Sequence, residues 1–274
     1  MLAADEGARI IAGGQTLVPM MAMRLARPTC LIDIARIPEL AFIRDAKDAI
    51  VIGAATRQCT VERDPLVASR IPLLARVMPW TGHAATRARG TVGGSLANAD
   101  PSAEISLVAV TLDAALTWHD AKGTTDVRTS AFFVGPMMTS LPNDACLVQV
   151  SFPVWSGATG TGFHEISARR SDFAFASAAA QVALDSDGRC SRLAVAVGAV
   201  TDFPLRLGRV EQALTGTRLS PSSVRDAVQD CLAGIETNSD LHASAAYRQR
   251  AAVALATRAI LEAHADAQRQ AHAH

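Results

Sequence analysis

The sequence predicts an α+β chain in two parts, and three observations predict it. A glycine pair, Gly13-Gly14, stands where a short apolar run suited to a strand gives way to one suited to a helix. A polar span with three glycines, Trp155 to Gly162, interrupts the chain past its middle. Beyond it, three alternating runs that read as strands are followed only by helical ones, so strands and helices segregate along the chain.

The elements follow in order. Ala8 to Ala12 reads as a strand that stops at Gly13-Gly14, and Leu17 to Leu25 as a helix, with Thr16 able to cap it and Pro19 tolerated in its first turn. Leu31 to Ile34 is a second strand, so the three make a compact βαβ unit. Ile50 to Ala54 is a strand, and a helical stretch within Val61 to Met78 is interrupted by Pro72. A loop, Gly82 to Gly94, leads to a helix from about Ser102 to Leu112 that Pro101 opens and Asp100 is placed to cap. Segments around Ala115 to Trp118, Asp126 to Thr129 and Leu147 to Phe152 alternate as strands do. Trp155 to Gly162 has linker composition and reads as a flexible interdomain turn, because no strand there leads directly into a helix. Phe163 to Ala168, Ser177 to Leu184 and Arg192 to Val200 are the three later strands. Leu205 to Leu214, Ser222 to Leu232 and an alanine-rich stretch from Ser244 to about Ala267 are helices, read as packing and subunit-contact surface.

Composition narrows the function. Of 274 residues 49% are hydrophobic and 19% charged, which is a packed globular composition. Lys plus Arg and Asp plus Glu stand at 26 each, so no basic excess favours nucleic acid or a membrane surface. The cysteines, Cys30, Cys59, Cys146, Cys190 and Cys231, form no CxxC pair, which excludes the usual zinc and iron-sulfur spacings and reads as free thiols in a reducing cytoplasm. Acidic residues stand where a signal peptide needs basic ones, and the most apolar stretch, Ile105 to Leu116, is too short to span a bilayer.

Two motifs carry chemistry. In Ile11-Ala12-Gly13-Gly14-Gln15-Thr16-Leu17 the glycines let the backbone turn sharply and approach a bulky anion, with successive N–H groups aimed at it; an ordinary turn is the plainer reading. A second pair, in Arg89-Gly90-Thr91-Val92-Gly93-Gly94-Ser95, again stands between an apolar and a hydroxyl residue, ahead of the helix that Asp100-Pro101 opens. Two such turns from separate subdomains suit a ligand with two phosphates, gripped from both sides. Glu104 favours a first helical turn and is also able to accept from a ligand amine or hydroxyl. Neither turn fits the dinucleotide or P-loop patterns. His83, His119 and His164 lie scattered without an acid or nucleophile at a recognisable spacing, and His272 to His274 reads as a tail. No catalytic side chain and no metal set is therefore expected, and a cofactor carries any reaction.

Ala12 to Met20, followed by Arg24 to Pro28 and Leu31 to Ile34, resembles the first FAD motif of the medium subunits of molybdenum hydroxylases. That group includes the flavoprotein subunits of carbon monoxide dehydrogenase and of N-heterocycle hydroxylases, and the flavin domain of xanthine dehydrogenase. Arg89 to Glu104 resembles the second FAD motif. Phe163 to Ala174, Val197 to Val200, Pro204 to Arg206, Glu211 to Gly216 and Tyr247-Arg248 to Arg258-Ala259 continue the likeness in order. The resemblance implies a two-subdomain FAD-binding region of the PCMH or vanillyl-alcohol-oxidase-like type over residues 1–155. Residues 160–270 are then a C-terminal domain with a three-stranded antiparallel sheet and helices.

By the same resemblance, Ala12, Gly13, Gly14, Gln15, Thr16 and Leu17, with Thr91, Val92, Gly93, Gly94 and Ser95, wrap the FAD pyrophosphate. Glu104 contacts FAD; Gly82, within Thr81 to His83, lines the isoalloxazine with Leu147 and Val148. Glu165 stands where some relatives have lysine, and Arg169-Arg170 matches a basic pair near the domain boundary. The sequence around Ser95 is closer to the hydroxylase branch than to the carbon monoxide branch. The family also has a strand and a helix before the first glycine motif, which this chain enters almost at once; a late-assigned start or a trimmed subdomain, weakening FAD retention, is the expectation. The implied function is electron transfer through FAD to an external acceptor. The implied partners are a large molybdopterin-binding subunit and a small [2Fe-2S] subunit, in a dimer of heterotrimers. Two other readings are a stand-alone FAD-dependent oxidoreductase of the same fold and a non-catalytic relative that has lost FAD.

Overall fold

A computed structural model describes residues 2–272, so the predicted histidine tail beyond His272 lies outside the described residues. Strand β1 (Arg9–Ile11), helix α1 (Leu17–Ala22) and strand β2 (Leu31–Asp33) form the expected βαβ unit, with the two strands parallel. Helix α1 ends three residues before Leu25, because Arg24 turns to φ 60° and the N–H groups of Leu25 and Ala26 both donate to the Met20 carbonyl. Thr16 takes a helical conformation and its side chain makes no capping bond, contrary to the expectation from its residue type.

Strands β3 (Ile43–Asp45) and β4 (Ala49–Gly53) form a hairpin, and three short helices follow. These are α2 (Gln58–Arg63), α3 (Pro65–Arg70) and α4 (Pro72–Val77). The expected single break at Pro72 is joined by another at Pro65. Each proline opens a helix at the position where its missing N–H costs nothing, and Asp64 accepts from the N–H groups of Leu66 at 2.9 Å and Val67 at 3.1 Å.

The stretch expected as a loop from Gly82 to Gly94 instead holds α5 (Ala84–Arg89) and the start of α6 (Val92–Asn98). Thr91 caps α6, its Oγ1 accepting from the Gly94 N–H at 3.0 Å, so Gly93 and Gly94 lie inside the first helical turn. Two adjacent glycines disfavour a helix locally. Here the cap and the packing of Gly93 on Ala54 decide the conformation. Helix α7 (Glu104–Leu112) is capped at Ala103, two residues after the predicted start near Ser102; Asp100 is not its N-cap and accepts from the Ser102 N–H at 2.8 Å to close the preceding turn.

Strands β5 (Ala115–Asp120) and β6 (Gly123–Arg128) pair, followed by helix α8 (Thr129–Phe132) and a small hairpin of β7 (Phe133–Gly135) and β8 (Met138–Thr139). Strand β9 (Cys146–Pro153) then completes an antiparallel sheet in the order β3-β4-β9-β5-β6. The second sheet comprises β10 (Thr159–Ser167), β11 (Ala174–Leu184), β12 (Cys190–Gly198) and β13 (Leu205–Arg206), antiparallel in that order. The fourth strand, two residues long, takes the stretch expected to begin a helix. Helices α9 (Gly208–Leu214), α10 (Pro221–Leu232) and α11 (Ala245–His272) cover it.

The second sheet divides two cores. Ala179 and Ala196 face a core shared with α4, α7 and the first sheet, including Leu107, Ile52 and Phe152. Ala178, Ala180, Val182, Val195 and Val197 face the other, closed by α9, α10 and the alanine stripe of α11. All nine residues of α7 are buried, the polar Glu104, Ser106 and Thr111 along with six apolar ones. Gly160 and Gly162, predicted as linker, belong to β10: a Cβ on either would fall 2.1 Å from the α11 backbone, at Ala267 N and Ala259 O respectively. The glycines here serve close strand–helix contact, not flexibility. Arg248, 5% exposed, ties the start of α11 to the sheet by donating to the carbonyls of Phe175 and Ala199 and pairing with Asp240.

Candidate functional site

The β1–α1 turn, the start of α6, the first residue of α7, strand β9 and the Thr81–His83 loop enclose a cavity of about 610 Å³. That volume is in the range of cofactor and drug-sized clefts. The two glycine motifs meet at its wall. A Cβ on Gly13 would fall 2.5 Å from the Arg89 carbonyl oxygen and 2.6 Å from Gly90 Cα; one on Gly94 would lie 2.7 Å from Thr91 Oγ1 and 3.7 Å from the Ala12 Cβ. The motifs therefore build one continuous surface, where the sequence implied grips from opposite sides.

Their backbone donors differ. In the second motif the N–H of Val92 donates to Thr56, that of Gly93 to Ala54, that of Gly94 to Thr91 Oγ1 and that of Ser95 to the Thr91 carbonyl. In the first, among the described residues, the N–H groups from Gly13 to Leu17 have no protein acceptor; the first intrahelical bond is from Val18 to Gly14. Gly14, at φ 69°, supplies the left-handed residue that lets consecutive N–H groups converge. The open backbone donors thus lie in the first motif, and the N–H groups of the second are spent on the protein itself.

Neighbouring side chains brace this arrangement. Gln58, 5% exposed, lies under Gly90 and Thr91, receiving no side chain from Gly90 and donating toward the Thr91 carbonyl at 3.4 Å. Arg87 pairs with Glu62 at 2.8 Å and donates to the Gly82 carbonyl at 2.7 Å, fixing the Thr81–His83 loop, where Gly82 takes φ 52°.

Three acids bear on the cavity wall: Glu104 and Asp100 line it, and the charge of Glu165, outside the lining, acts on Glu104. Glu104, 8% exposed, lines the cavity. Burial first, then the charges of Glu165 and Asp100, push it up to about 8, against a smaller opposing pull from Arg87. Burial raises Glu165 to about 7, and both its carboxyl oxygens are enclosed without a partner. Burial also raises Asp100, which lines the cavity, and the Cys146 thiol beside it.

Of the residues singled out in the sequence, Ala12, Gly13, Gly14, Gln15, Thr16, Leu17, Gly82, Thr91, Gly93, Gly94, Ser95, Glu104 and Leu147 line this one cavity. Val92 is fully buried in the core behind it. Val148 supports the wall through its carbonyl, which accepts from Ala54 at 2.9 Å, and Glu165 stands behind Glu104. His83 reaches the wall, while His164 pairs with Glu262 at 3.2 Å away from it. Sequence reasoning missed Gln58, Asn98, Cys146, Asp172 and Phe173, all on the lining. Phe173, 71% exposed, lies two residues past Ser171 at φ 67°, a backbone turn that nothing in the sequence marked. Among the described residues no group of three His, Cys, Asp or Glu side chains gathers as a metal site.

Comparison with known proteins agrees with this geometry. The family described as the FAD binding domain in molybdopterin dehydrogenase matches residues 1–155, and the CO dehydrogenase flavoprotein C-terminal domain matches residues 161–263. The nicotine 6-hydroxylase medium subunit of Paenarthrobacter nicotinovorans is 35% identical, over 96% of this chain and 92% of its own. The carbon monoxide dehydrogenase medium chain of Hydrogenophaga pseudoflava is 31% identical, over 92% of this chain and 88% of its own. A solved structure of carbon monoxide dehydrogenase from Hydrogenophaga pseudoflava superposes with a TM-score of 0.93 at 32% identity, covering 97% of this chain and 92% of that one. Quinoline 2-oxidoreductase from Pseudomonas putida 86 gives 0.91 at 35% identity, covering 98% and 93%. A cavity of this size with a run of open backbone donors fits FAD. The chain belongs to the FAD-binding medium subunits of the molybdenum hydroxylase family, an oxidoreductase subunit with an FAD-binding region followed by a C-terminal antiparallel sheet.

Proposed function

We propose that this chain holds FAD in the cavity between its glycine motifs and the Thr81–His83 loop, and passes electrons from the [2Fe-2S] clusters of a small partner subunit to an external acceptor. A large partner carrying the molybdopterin cofactor would supply those electrons, in an assembly of heterotrimers. The observation that carries this reading is the unpartnered N–H run from Gly13 to Leu17 on the wall of a cofactor-sized cavity. Medium-chain and medium-subunit names among the relatives support the partners.

Bound FAD supplies the redox chemistry, accepting electrons singly or in pairs. The protein's part is to bind and orient. Gly13 to Leu17 would hold the pyrophosphate with backbone N–H groups, while Ser95 adds a hydroxyl and Glu104 faces the cofactor's polar middle. Gly82 and Leu147 would flank the ring, with Val148 supporting from behind. We take residues 1–155 and 160–270 as the two domains, a division supported by the family limits at 155 and 161. Five unpaired cysteines support a reducing, cytoplasmic location.

Absorbance tests the reading. Chain incubated with FAD and desalted is expected to keep a flavin spectrum near one per chain, and co-expression with its partners to yield a complex carrying flavin, iron and molybdenum. Absence of flavin from both the chain and the complex would sink it.

A further inference from the structure

The pocket lined by the glycine motifs also holds a buried acid with an unusual neighbour. Glu104 opens α7, is more than nine-tenths buried, and lines the cavity. From the second sheet, Glu165 on β10 lies close enough for its charge to act on Glu104, and neither of its oxygens meets a donor. An ionised Glu165 would be enclosed without a donor, and an ionised Glu104, nine-tenths buried on the cavity wall, would feel its charge. The nearest cation, Arg87, is already paired with Glu62 and bound to the Gly82 carbonyl. Asp100 adds further negative charge beside Glu104.

We propose that Glu104, buried on the cavity wall, retains a proton at neutral pH and presents an O–H to the cofactor, with the enclosed, unpartnered Glu165 acting as the positioning residue that keeps it there. The inference rests on the FAD reading above. Burial favours the neutral form of both acids, raising Glu165 to about 7, and the charge of Glu165 adds to burial in raising Glu104 to about 8. A neutral Glu104 both donates and accepts, which suits a sugar hydroxyl. Ionisation of Glu104 removes the donor and sets negative charge beside a cofactor that already carries a diphosphate. Asp100, Cys146, His83, Arg9 and Asp172 are the other ionisable groups on the lining, and the charge of Arg87 also acts on Glu104. FAD affinity should therefore fall as pH rises.

The dissociation constant for FAD, measured by flavin fluorescence between about pH 6 and about pH 9, tests this. The full chain is expected to weaken about tenfold over that range. Glu165→Lys, which gives Glu104 a cation and lets it ionise throughout, is expected to flatten the change to less than about twofold, and Glu104→Gln likewise. Glu165→Gln should retain part of the slope. Infrared spectra of the unsubstituted chain at neutral pH should show a protonated carboxylic-acid band that Glu104→Gln loses, a readout independent of whether the lysine variant folds. Tight binding with a flat profile, or no such band, overturns the proposal alone. No FAD binding at any pH by any of these proteins overturns the FAD reading and the proposal with it.

Discussion

Glu104 and Glu165 make the sharpest case of a residue set against its surroundings. In the unfolded chain both titrate near 4.5, while folded they hold protons to about 8 and about 7. Below 4.5 both states are protonated and neither acid costs stability. As pH rises past that value the unfolded state releases protons first, so the folded state loses stability until the folded values are passed. Glu104→Gln and Glu165→Gln should therefore be neutral near pH 4 and stabilise the FAD-free chain by roughly 2 kcal/mol each near pH 8. Urea denaturation at both pH values would check it, and a gain at low pH only would contradict the burial argument. Gly14 is a second residue whose role is backbone geometry: at φ 69°, a valine is strained and would also crowd Val18. Gly14→Val is expected to cost about 1–3 kcal/mol locally and weaken FAD binding at least about tenfold, measured by flavin retention after desalting. Gly94→Val, pressing on Thr91 Oγ1, should break the α6 cap as well.

Elements show what the sequence displayed and what it concealed. The βαβ unit, the antiparallel β10 to β12 and the alanine-rich α11 were legible, because their apolar spacing is local. Helix α6 was not, since Gly93-Gly94 reads as a turn, and the Thr91 cap with the backbone of Ala54, distant in the chain, holds it helical. Gly160 and Gly162 were read as linker for the same reason: their partner, α11, lies about a hundred residues away in sequence. Thirteen of the sixteen site residues named from the motifs reach one cavity, yet Gln58, Cys146 and Phe173 reach it only through tertiary placement. Thr91→Ala removes the α6 cap and should cost about 1 kcal/mol, lowering the melting temperature and loosening the wall beneath Gly13. Gly162→Leu should be far worse than Gly157→Leu, because the former meets the Ala259 carbonyl and the latter meets nothing within 4 Å. Comparison of soluble yields and melting temperatures would check that order.

At the scale of the molecule, α7 and the second sheet join the two halves. Leu107 touches the first core while Ala179 and Ala196 close over it from the second sheet, so the halves share apolar surface. Leu107→Ala should cost about 2–5 kcal/mol and be felt in both halves, read as one cooperative transition at lower denaturant. The N-terminal βαβ unit stands apart from this. Of residues 9–34, only Ile34 is buried, and no residue of β1, α1 or β2 belongs to a core cluster. The segment with the open backbone donors is thus the one least anchored by apolar packing. Its opening free energy should be small, and a ligand that binds only the closed form must first draw that form from a fluctuating population. Amide hydrogens from Gly13 to Ile34 should exchange fastest in the FAD-free chain and slow markedly when FAD is added, with α7 and β11 unchanged. The cofactor would then act as the missing core of its own binding loop, and saturation with FAD would raise thermal stability by mass action alone.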